Sequence, residues 1–253
     1  MHFDKIAALT RGVPHMTSLE GRVMYDFITT TGPQSVLELG FSHGVSTSYM
    51  AAALEQNGLG GHVTSIDLKT ARANEPNIET LLTRAGLTGF VTAVYAHSTY
   101  VWELMRIIER QTSDGVCEPC FDFCFIDGAH SWAVDGFAFF LVDKLLQSGG
   151  WLLFDDLCWT VAEYHAEWDL ADDEREMYET AQMTKVFDLL VRQHDDYGNI
   201  RADDRWGGGW GWAQKDAREA DAGLLEGIYA AQPLRSHLHV LGRRFKRSLR
   251  SGS

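Results

Sequence analysis

Three aspartates follow two strongly apolar segments of the chain. Asp127 ends the apolar part of FCFIDGAHSW (residues 123–132), and Asp155 and Asp156 end that of GGWLLFDDLC (residues 149–158). If these segments are neighbouring strands of a parallel sheet, the carboxylates meet at one edge, where they repel one another unless a cation lies between them. Oxygen ligands with open positions for water and substrate are typical of Mg²⁺, with Mn²⁺ or Ca²⁺ possible. The three aspartates therefore form a predicted metal site, and the alternative is that they only cap the helices that follow.

A histidine lies close to the first of these acids. His130 follows Asp127 by three residues, and a neutral imidazole can accept a proton near pH 7. A divalent ion beside it would orient a hydroxyl group and lower the pKa of that group. His130 and Asp127 are therefore alternative candidates for a catalytic base, and the competing interpretation of His130 is a structural residue at a helix start.

A glycine-containing loop provides a second candidate site, in the segment LELGFSHGVSTS (residues 37–48). The glycine residues allow the backbone to approach a ligand. A dinucleotide-binding loop would have glycine where this chain has Ser42 and Val45, which argues against a nicotinamide cofactor. Glu38 in the loop and Asp67 after the next apolar segment suit a cationic ligand with a ribose, such as S-adenosylmethionine. The alternative is a tight turn in which Glu38 caps nearby amides.

Strand and helix patterns that alternate from residue 35 to about 156 would position these residues. This alternation predicts a single α/β domain over residues 1–253, with a doubly wound, mostly parallel seven-stranded sheet and helices on both faces. A capping box, TSLE, predicts a first helix that ends near Ile28. The predicted strands span 35–40, 61–68, 90–98, 120–127 and 150–156, and two final strands lie around 198–206 and 209–215. The predicted helices between and after them span 44–56, 77–87, 99–111, 131–147 and 183–194.

Composition excludes several classes of protein. The net charge of −13, from 22 basic and 35 acidic residues, disfavours binding to nucleic acid. We find no apolar run of signal-peptide or membrane-span length and therefore expect a cytoplasmic protein. The CEPC segment (117–120) has metal-like or redox-like spacing but lacks a second ligand pair. The basic tail (243–253) is interpreted as a solvated terminus.

In their order along the chain, these segments resemble the class I S-adenosylmethionine-dependent O-methyltransferases. The Glu-x-Gly-x-x-x-Gly-x-Ser loop, the acid after the second strand, AHS, FIDGAH and LLFDD carry the resemblance over residues 14 to 156. It is closest to the metal-dependent branch, which includes catechol O-methyltransferase and the sugar O-methyltransferases of antibiotic and polysaccharide pathways. The resemblance implies a Rossmann-like fold, S-adenosylmethionine as cofactor and metal ligands at the three aspartates. His130 falls where the catechol enzyme has a lysine base.

The resemblance also implies roles for individual residues at the cofactor. Asp67 would hold the ribose, and Ser98 would lie at the adenine. Met16 matches a position that touches the cofactor in the catechol enzyme, in a part of the chain where the alignment is weaker. The methionine part of the cofactor would be lined by residues of the glycine-containing loop, namely Glu38, Gly40, Ser42, Gly44 and Ser46.

Asp156 and the aromatic residues indicate the acceptor. Asp156 replaces an amide of the catechol enzyme, as in the sugar-methylating branch. Residues 157–182 are acidic and aromatic and are predicted to form a lid or acceptor-binding insertion. Flat aromatic faces beside acids suit a sugar ring, which predicts a small-molecule or oligosaccharide acceptor. The alternative acceptor is a catechol or other phenol, and the alternative function is a non-catalytic cofactor-binding scaffold. A homo-oligomeric state and a packed sheet edge as the position of some tryptophans also stay open. The tryptophans concerned are Trp159, Trp168, Trp206, Trp210 and Trp212.

Overall fold

The computed structural model describes residues 3–164, 171–204 and 208–232. Within them, seven strands form one sheet in the order β3-β2-β1-β4-β5-β7-β6. Strand β7 is antiparallel to both neighbours, and the other pairs are parallel. The prediction of a doubly wound, mostly parallel seven-stranded sheet is confirmed. The strands are β1 (Ser35–Leu39), β2 (His62–Leu68), β3 (Val91–Ala96), β4 (Phe121–Ile126), β5 (Leu146–Phe154), β6 (Tyr197–Asp203) and β7 (Trp210–Lys215).

Helices cover both faces of this sheet. Along β4, Phe123 and Phe125 belong to one hydrophobic core, and Cys124 and Ile126 belong to the other, because successive strand side chains point to opposite faces. This burial on both faces is the reason for the continuous apolar runs in the sequence. The helices are α1 (Phe3–Leu9), α2 (Ser18–Thr31), α3 (Val45–Asn57), α4 (Ile78–Ala85), α5 (Tyr100–Gln111), α6 (Trp132–Leu145), α7 (Val161–Tyr164), α8 (Asp172–Glu179), α9 (Gln182–Val186) and α10 (Leu224–Ala230).

The predicted capping box begins α2. The Thr17 side chain accepts a hydrogen bond from the backbone N–H of Glu20, and the Glu20 carboxylate accepts one from the backbone N–H of Thr17 at 2.6 Å. The helix continues to Thr31, beyond the predicted end near Ile28. It ends at Gly32, whose φ of +67° is a left-handed conformation that glycine adopts without steric cost. This helix directs its first turn, including Glu20, toward the carboxyl edge of the sheet.

Several elements differ from the predicted ones. Helices α1 and α10 have seven residues each, which is too short for a clear periodic pattern. Strand β5 begins at Leu146, four residues before the predicted start. The predicted helix at 183–194 consists of α9 followed by a π-helical turn (Phe187–Val191). In the described residues, no helix is both long and apolar enough to cross a membrane.

Candidate active site

A cavity of about 1050 Å³ opens at the carboxyl ends of the parallel strands. Residues that follow β1, β2, β3, β4 and β5 line it. Strand β1 lies between β2 and β4, so the cavity is at the position where the strand order reverses, which is the usual ligand site of doubly wound sheets. Its volume is at the upper end of the range of about 300–1,000 Å³ for small-molecule sites. The cavity therefore has room for a nucleoside-sized ligand and a second small molecule.

The loop between β1 and α3 forms one wall of this cavity. Gly40 has a φ of +89°, and a Cβ atom there would lie 1.9 Å from the backbone oxygen of Asp127. No other residue type fits at this position without moving the loop after β4. The Asp67 carboxylate accepts hydrogen bonds from the backbone N–H groups of Phe41, at 2.9 Å, and Ser42, at 2.6 Å. The end of β2 therefore holds the loop in place.

Glu38 lies beneath this loop and is fully buried. Its carboxylate accepts hydrogen bonds from the hydroxyl groups of Ser46, Thr47 and Ser65, the one from Thr47 at 2.5 Å. Burial raises the pKa of Glu38 to about 7, although the three hydroxyl groups oppose the rise. The carboxylate thus joins β1, β2 and α3 below the cavity.

The predicted metal-binding acids lie at the ends of neighbouring strands. Strands β4 and β5 are paired, with Ile126 opposite Phe154, so Asp127 and the residues after Phe154 reach the same edge. His130 lies between two of these acids: its Nε2 atom is 3.2 Å from Asp127 Oδ1 and 3.6 Å from Asp156 Oδ2. Ligand atoms of these three residues all lie within 4.8 Å of one another. Each side chain remains about one fifth to one quarter exposed, at 22%, 19% and 27% for Asp127, His130 and Asp156.

Asp155 is oriented differently from the other two acids. It also lines the cavity, but its Oδ1 atom accepts a hydrogen bond from the backbone N–H of Asp156 at 2.7 Å. The grouping of potential ligand atoms found in the described residues consists of Asp127, His130 and Asp156, and Asp155 is outside it. The structure therefore brings the three predicted acids to one cavity edge and adds His130 to two of them.

The charges at this edge alter the pKa values of its members. Burial lowers the pKa of His130, but the hydrogen bond to Asp127 and the charges of Asp127 and Asp156 outweigh it and raise that pKa to about 9. Burial raises the pKa of Asp127 to about 6, and His130 opposes this rise. Burial and the neighbouring carboxylates raise the pKa of Asp155 well above its ordinary value. In the protein alone, His130 is protonated at neutral pH and neutralises part of the negative charge.

The whole cavity is acidic. Among the described residues that line it, no lysine or arginine is present, and histidine is the basic residue type that contributes, at positions 15, 43 and 130. A ligand that carries positive charge is favoured in such a cavity, whereas a pyrophosphate is not. The acidic lining residues are Glu20, Asp67, Asp127, Asp155, Asp156 and Asp204.

Residues 37–157 match the sequence profile of a protein family described as a methyltransferase domain. No significant match was found among curated protein sequences. The match begins in β1 and ends just after Asp156, so it contains the glycine-containing loop and all three acids. The prediction that the chain is a methyltransferase is confirmed.

Solved structures share the fold of this methyltransferase. An O-methyltransferase from Bacillus cereus in complex with S-adenosylhomocysteine (SAH) matches with a TM-score of 0.57 and 18% identity, over 84% of this chain and 90% of that chain. TomG from Streptomyces achromogenes, an O-methyltransferase involved in tomaymycin synthesis, in complex with S-adenosylmethionine (SAM), gives 0.57 and 18%, over 84% and 88%. SAH-bound PaMTH1 from Podospora anserina gives 0.60 and 15%, over 84% and 87%. At these identities the comparison establishes the fold.

Most of the residues predicted to bind the cofactor line the cavity of the methyltransferase. Two do not. Glu38 faces the three hydroxyl groups below the loop, and Gly44 packs against Ile78, where a Cβ atom would lie 2.6 Å from Ile78 Cγ1. Both residues shape the loop from outside the cavity. The lining residues of the predicted set are Gly40, Ser42, Ser46, Asp67 and Ser98, together with Met16.

Of the tryptophans predicted to contact the acceptor, one lines the cavity in the part of the chain that the structure describes. Trp159 lines the cavity, and its ring lies 5.1 Å from that of His130. Trp210 and Trp212 are fully buried in the core beside β4 and cannot contact an acceptor, so the suggestion that they do so is wrong. Sequence alone does not distinguish the two cases, because a buried strand and an aromatic binding surface can both be rich in tryptophan. Trp168 and Trp206 lie outside the described residues, as does the basic tail.

The sequence reasoning missed other residues of the site. Glu20 was recognised as a helix cap but also lines the cavity, where its charge raises the pKa values of Asp127 and Asp155. His15 lines the cavity with a φ of +82°, and no sequence signal marks it. The Tyr100 hydroxyl donates a hydrogen bond to the Asp135 carboxylate, and both residues are buried beside the loop after β4. An acid in the first turn of an otherwise apolar helix was the available signal for Asp135.

Proposed function

We propose that the protein transfers a methyl group from S-adenosylmethionine to a hydroxyl group, with the help of a divalent metal ion. The observation that carries the proposal is the acidic cavity at the reversal point of a methyltransferase sheet. The sulfonium and ammonium groups of S-adenosylmethionine carry positive charge and suit such a cavity. In this proposal Asp67 and Ser98 contact the nucleoside, and Gly40, Ser42 and Ser46 contact the methionine part.

The acidic edge fits a divalent cation. Asp127 and Asp156 offer carboxylate oxygens and His130 a ring nitrogen within 4.8 Å of one another, a set that an oxygen-preferring ion such as Mg²⁺ or Mn²⁺ can use. We propose that Asp127 and Asp156 hold the ion and that Asp155 supports it. When bound, the ion would orient the acceptor hydroxyl and lower its pKa.

The residues around the acids would complete the reaction. Methyl transfer from a sulfonium is an in-line displacement, so the acceptor oxygen must be aimed at the methyl group. In this proposal the methyl donor lies at the glycine-containing loop and the acceptor at the acidic edge, and these two parts of the cavity are neighbours because Gly40 packs against the backbone of Asp127 and Gly128. His130, or alternatively Asp127, would take the hydroxyl proton. His130 can do so only when neutral, and in the protein alone it is protonated near pH 7.

A sugar or glycoside is our first choice of acceptor. Trp159 offers one flat face to the C–H side of a ring, and the carboxylates nearby can accept hydrogen bonds from hydroxyl groups. The same single face also suits a phenol or catechol, which is the second candidate.

The experiment that tests the function is binding followed by turnover. Protein freed of metal with EDTA is titrated with SAH in a calorimeter, and then with Mg²⁺. Methyl transfer from SAM is next measured with glycoside and catechol panels. Asp156→Ala should retain SAH binding and lose most Mg²⁺ binding, whereas Asp204→Ala, a change at an exposed acid of the same cavity, should retain both. Absence of SAH binding would refute the assignment of the cavity as a methyltransferase site. Turnover that does not depend on Mg²⁺ would refute the proposed role of the metal ion.

A further inference from the structure

The loop between β4 and α6 is short and has an unusual backbone. It carries Asp127 and His130, and α6 begins at Trp132. His130 has a φ of +52°, a left-handed conformation that residues other than glycine adopt infrequently. Such a conformation persists only where surrounding contacts determine it. The contacts of the loop therefore decide whether Asp127 and His130 stay near Asp156.

Tyr100, the first residue of α5, supports this loop from below. Its ring packs so closely on Gly128 that a Cβ atom there would lie 2.4 Å from Tyr100 Cε1. Its hydroxyl oxygen accepts a hydrogen bond from the backbone N–H of Ala129 at 3.1 Å. The ring and the hydroxyl group thus contact two consecutive residues of the loop.

Asp135, in the first turn of α6, completes the support. It is fully buried, and Tyr100 is 5% exposed. One carboxylate oxygen accepts a hydrogen bond from the Tyr100 hydroxyl, and the other accepts one from the backbone N–H of Ser131 at 2.7 Å. A buried carboxylate is costly unless its oxygens are paired, and here both are. The neighbours of Asp135 on α6, such as Ala138 and Phe139, are apolar core residues, so Asp135 is a buried acid on an otherwise apolar helix face.

We infer that Tyr100 and Asp135 are positioning residues, which hold the loop of residues 127–131 so that Asp127 and His130 face Asp156. Gly128, Ala129 and Ser131 each contact the pair, so every loop residue between the two site residues and α6 is held. The consequence for metal affinity rests on the proposed function. Residues that support metal ligands in this way typically contribute 10–100-fold to metal affinity.

The chain offers a matched control for this inference. Tyr197 on β6 also donates a hydrogen bond to an aspartate, Asp143, at 3.0 Å, and it is 7% exposed. It does not line the cavity. Tyr100→Phe and Tyr197→Phe therefore each remove one hydroxyl group from a Tyr–Asp pair and keep the ring.

The experiment compares the two variants with the wild type in two measurements. Calorimetric titration with Mn²⁺ reports metal affinity, and hydrogen exchange followed by mass spectrometry reports the opening of residues 127–131. We expect Tyr100→Phe to bind Mn²⁺ about 10–100-fold more weakly and to exchange faster in the loop. Tyr197→Phe should match the wild type in both measurements. SAH binding by Tyr100→Phe serves as a check that the cavity is intact.

The outcomes separate the inference from the proposed function. Equal loop exchange in Tyr100→Phe and the wild type would overturn the positioning role. So would equal Mn²⁺ affinity, since the pair would then serve stability alone. If the wild type binds no Mn²⁺, the metal part of the proposed function is refuted, and faster loop exchange in Tyr100→Phe alone would still support the positioning role.

Discussion

The buried carboxyl group of Glu38 is expected to make the stability of the protein depend on pH. Its pKa in the folded protein is about 7, compared with 4.5 for the ordinary group. Because the folded state binds the proton more tightly than the unfolded state, the stabilisation is fully present below pH 4.5 and is lost as the pH rises through 7. Between pH 5 and pH 8 the loss is on the order of 2–3 kcal/mol.

Glu38→Gln removes this titration and keeps the size of the side chain. The amide oxygen can still accept hydrogen bonds from Thr47 and Ser65, and the amide NH2 group can donate one to the Ser46 hydroxyl oxygen, so the two strands and the helix that meet there remain joined. The difference in free energy of unfolding, variant minus wild type, is therefore expected to rise by about 2–3 kcal/mol from pH 5 to pH 8. Other groups of the site titrate in both proteins, and their contributions cancel in this difference.

Urea denaturation followed by tryptophan fluorescence, at pH 5, 6, 7 and 8 and without divalent metal, measures the difference. The difference should be about half of its full change near pH 6, midway between the unfolded and folded pKa values, and should level off above the folded pKa of about 7. Glu55→Gln, the same substitution at a partly exposed acid of α3, is the control for exchanging a carboxyl group for an amide. Parallel pH dependences of Glu38→Gln and the wild type would refute the reasoning, because Glu38 would then titrate alike in both states.

Three further outcomes follow from the geometry of the site. Gly40→Ala should unfold at lower urea and lose more than about 1 kcal/mol, because its φ is left-handed and its Cβ atom would collide with Asp127; an unchanged denaturation midpoint would contradict this. Trp159→Ala should raise the KM for the acceptor by roughly two- to tenfold and leave SAH affinity unchanged, and steady-state kinetics that show the reverse pattern would oppose an acceptor-binding role. Binding of Mg²⁺ should release a proton from His130 at pH 7.5, since that pKa is about 9 in the protein alone and a cation competes with the proton. Calorimetry in two buffers of different ionisation enthalpy detects the release, and identical apparent enthalpies would exclude it.

The sheet was predictable from the sequence because its physical cause is local. Strands buried on both faces appear as continuous apolar runs, and the helices between them have recognisable caps. Helices α1 and α10 have three or fewer buried core positions each, so no period emerges from them. The early start of β5 at Leu146 depends on pairing with Phe121, which is a contact between distant residues.

The candidate site was predictable where topology alone decides position. Asp127, Asp155 and Asp156 meet because parallel neighbours end at one edge, and Asp67 lies beside the loop for the same reason. Side-chain direction was not predictable, because it depends on partners from distant segments. Glu38 turns toward Ser65, which lies 27 residues away, and Tyr100 reaches Asp135, 35 residues away. Sequence spacing contains no information on either contact.

The acids at the edge of the sheet need positive charge, and the protein supplies some of it without an ion. Protonated His130 lies between Asp127 and Asp156, and its positive charge offsets part of the negative charge of these carboxylates. A proton contributes one positive charge and a divalent ion contributes two, so the ion is the better partner once the carboxylates are ionised. Because the proton and the proposed ion would occupy the same group of residues, loss of the His130 proton would accompany metal binding. The histidine would then become neutral, which is the state that a base requires, at the moment when the metal is in place.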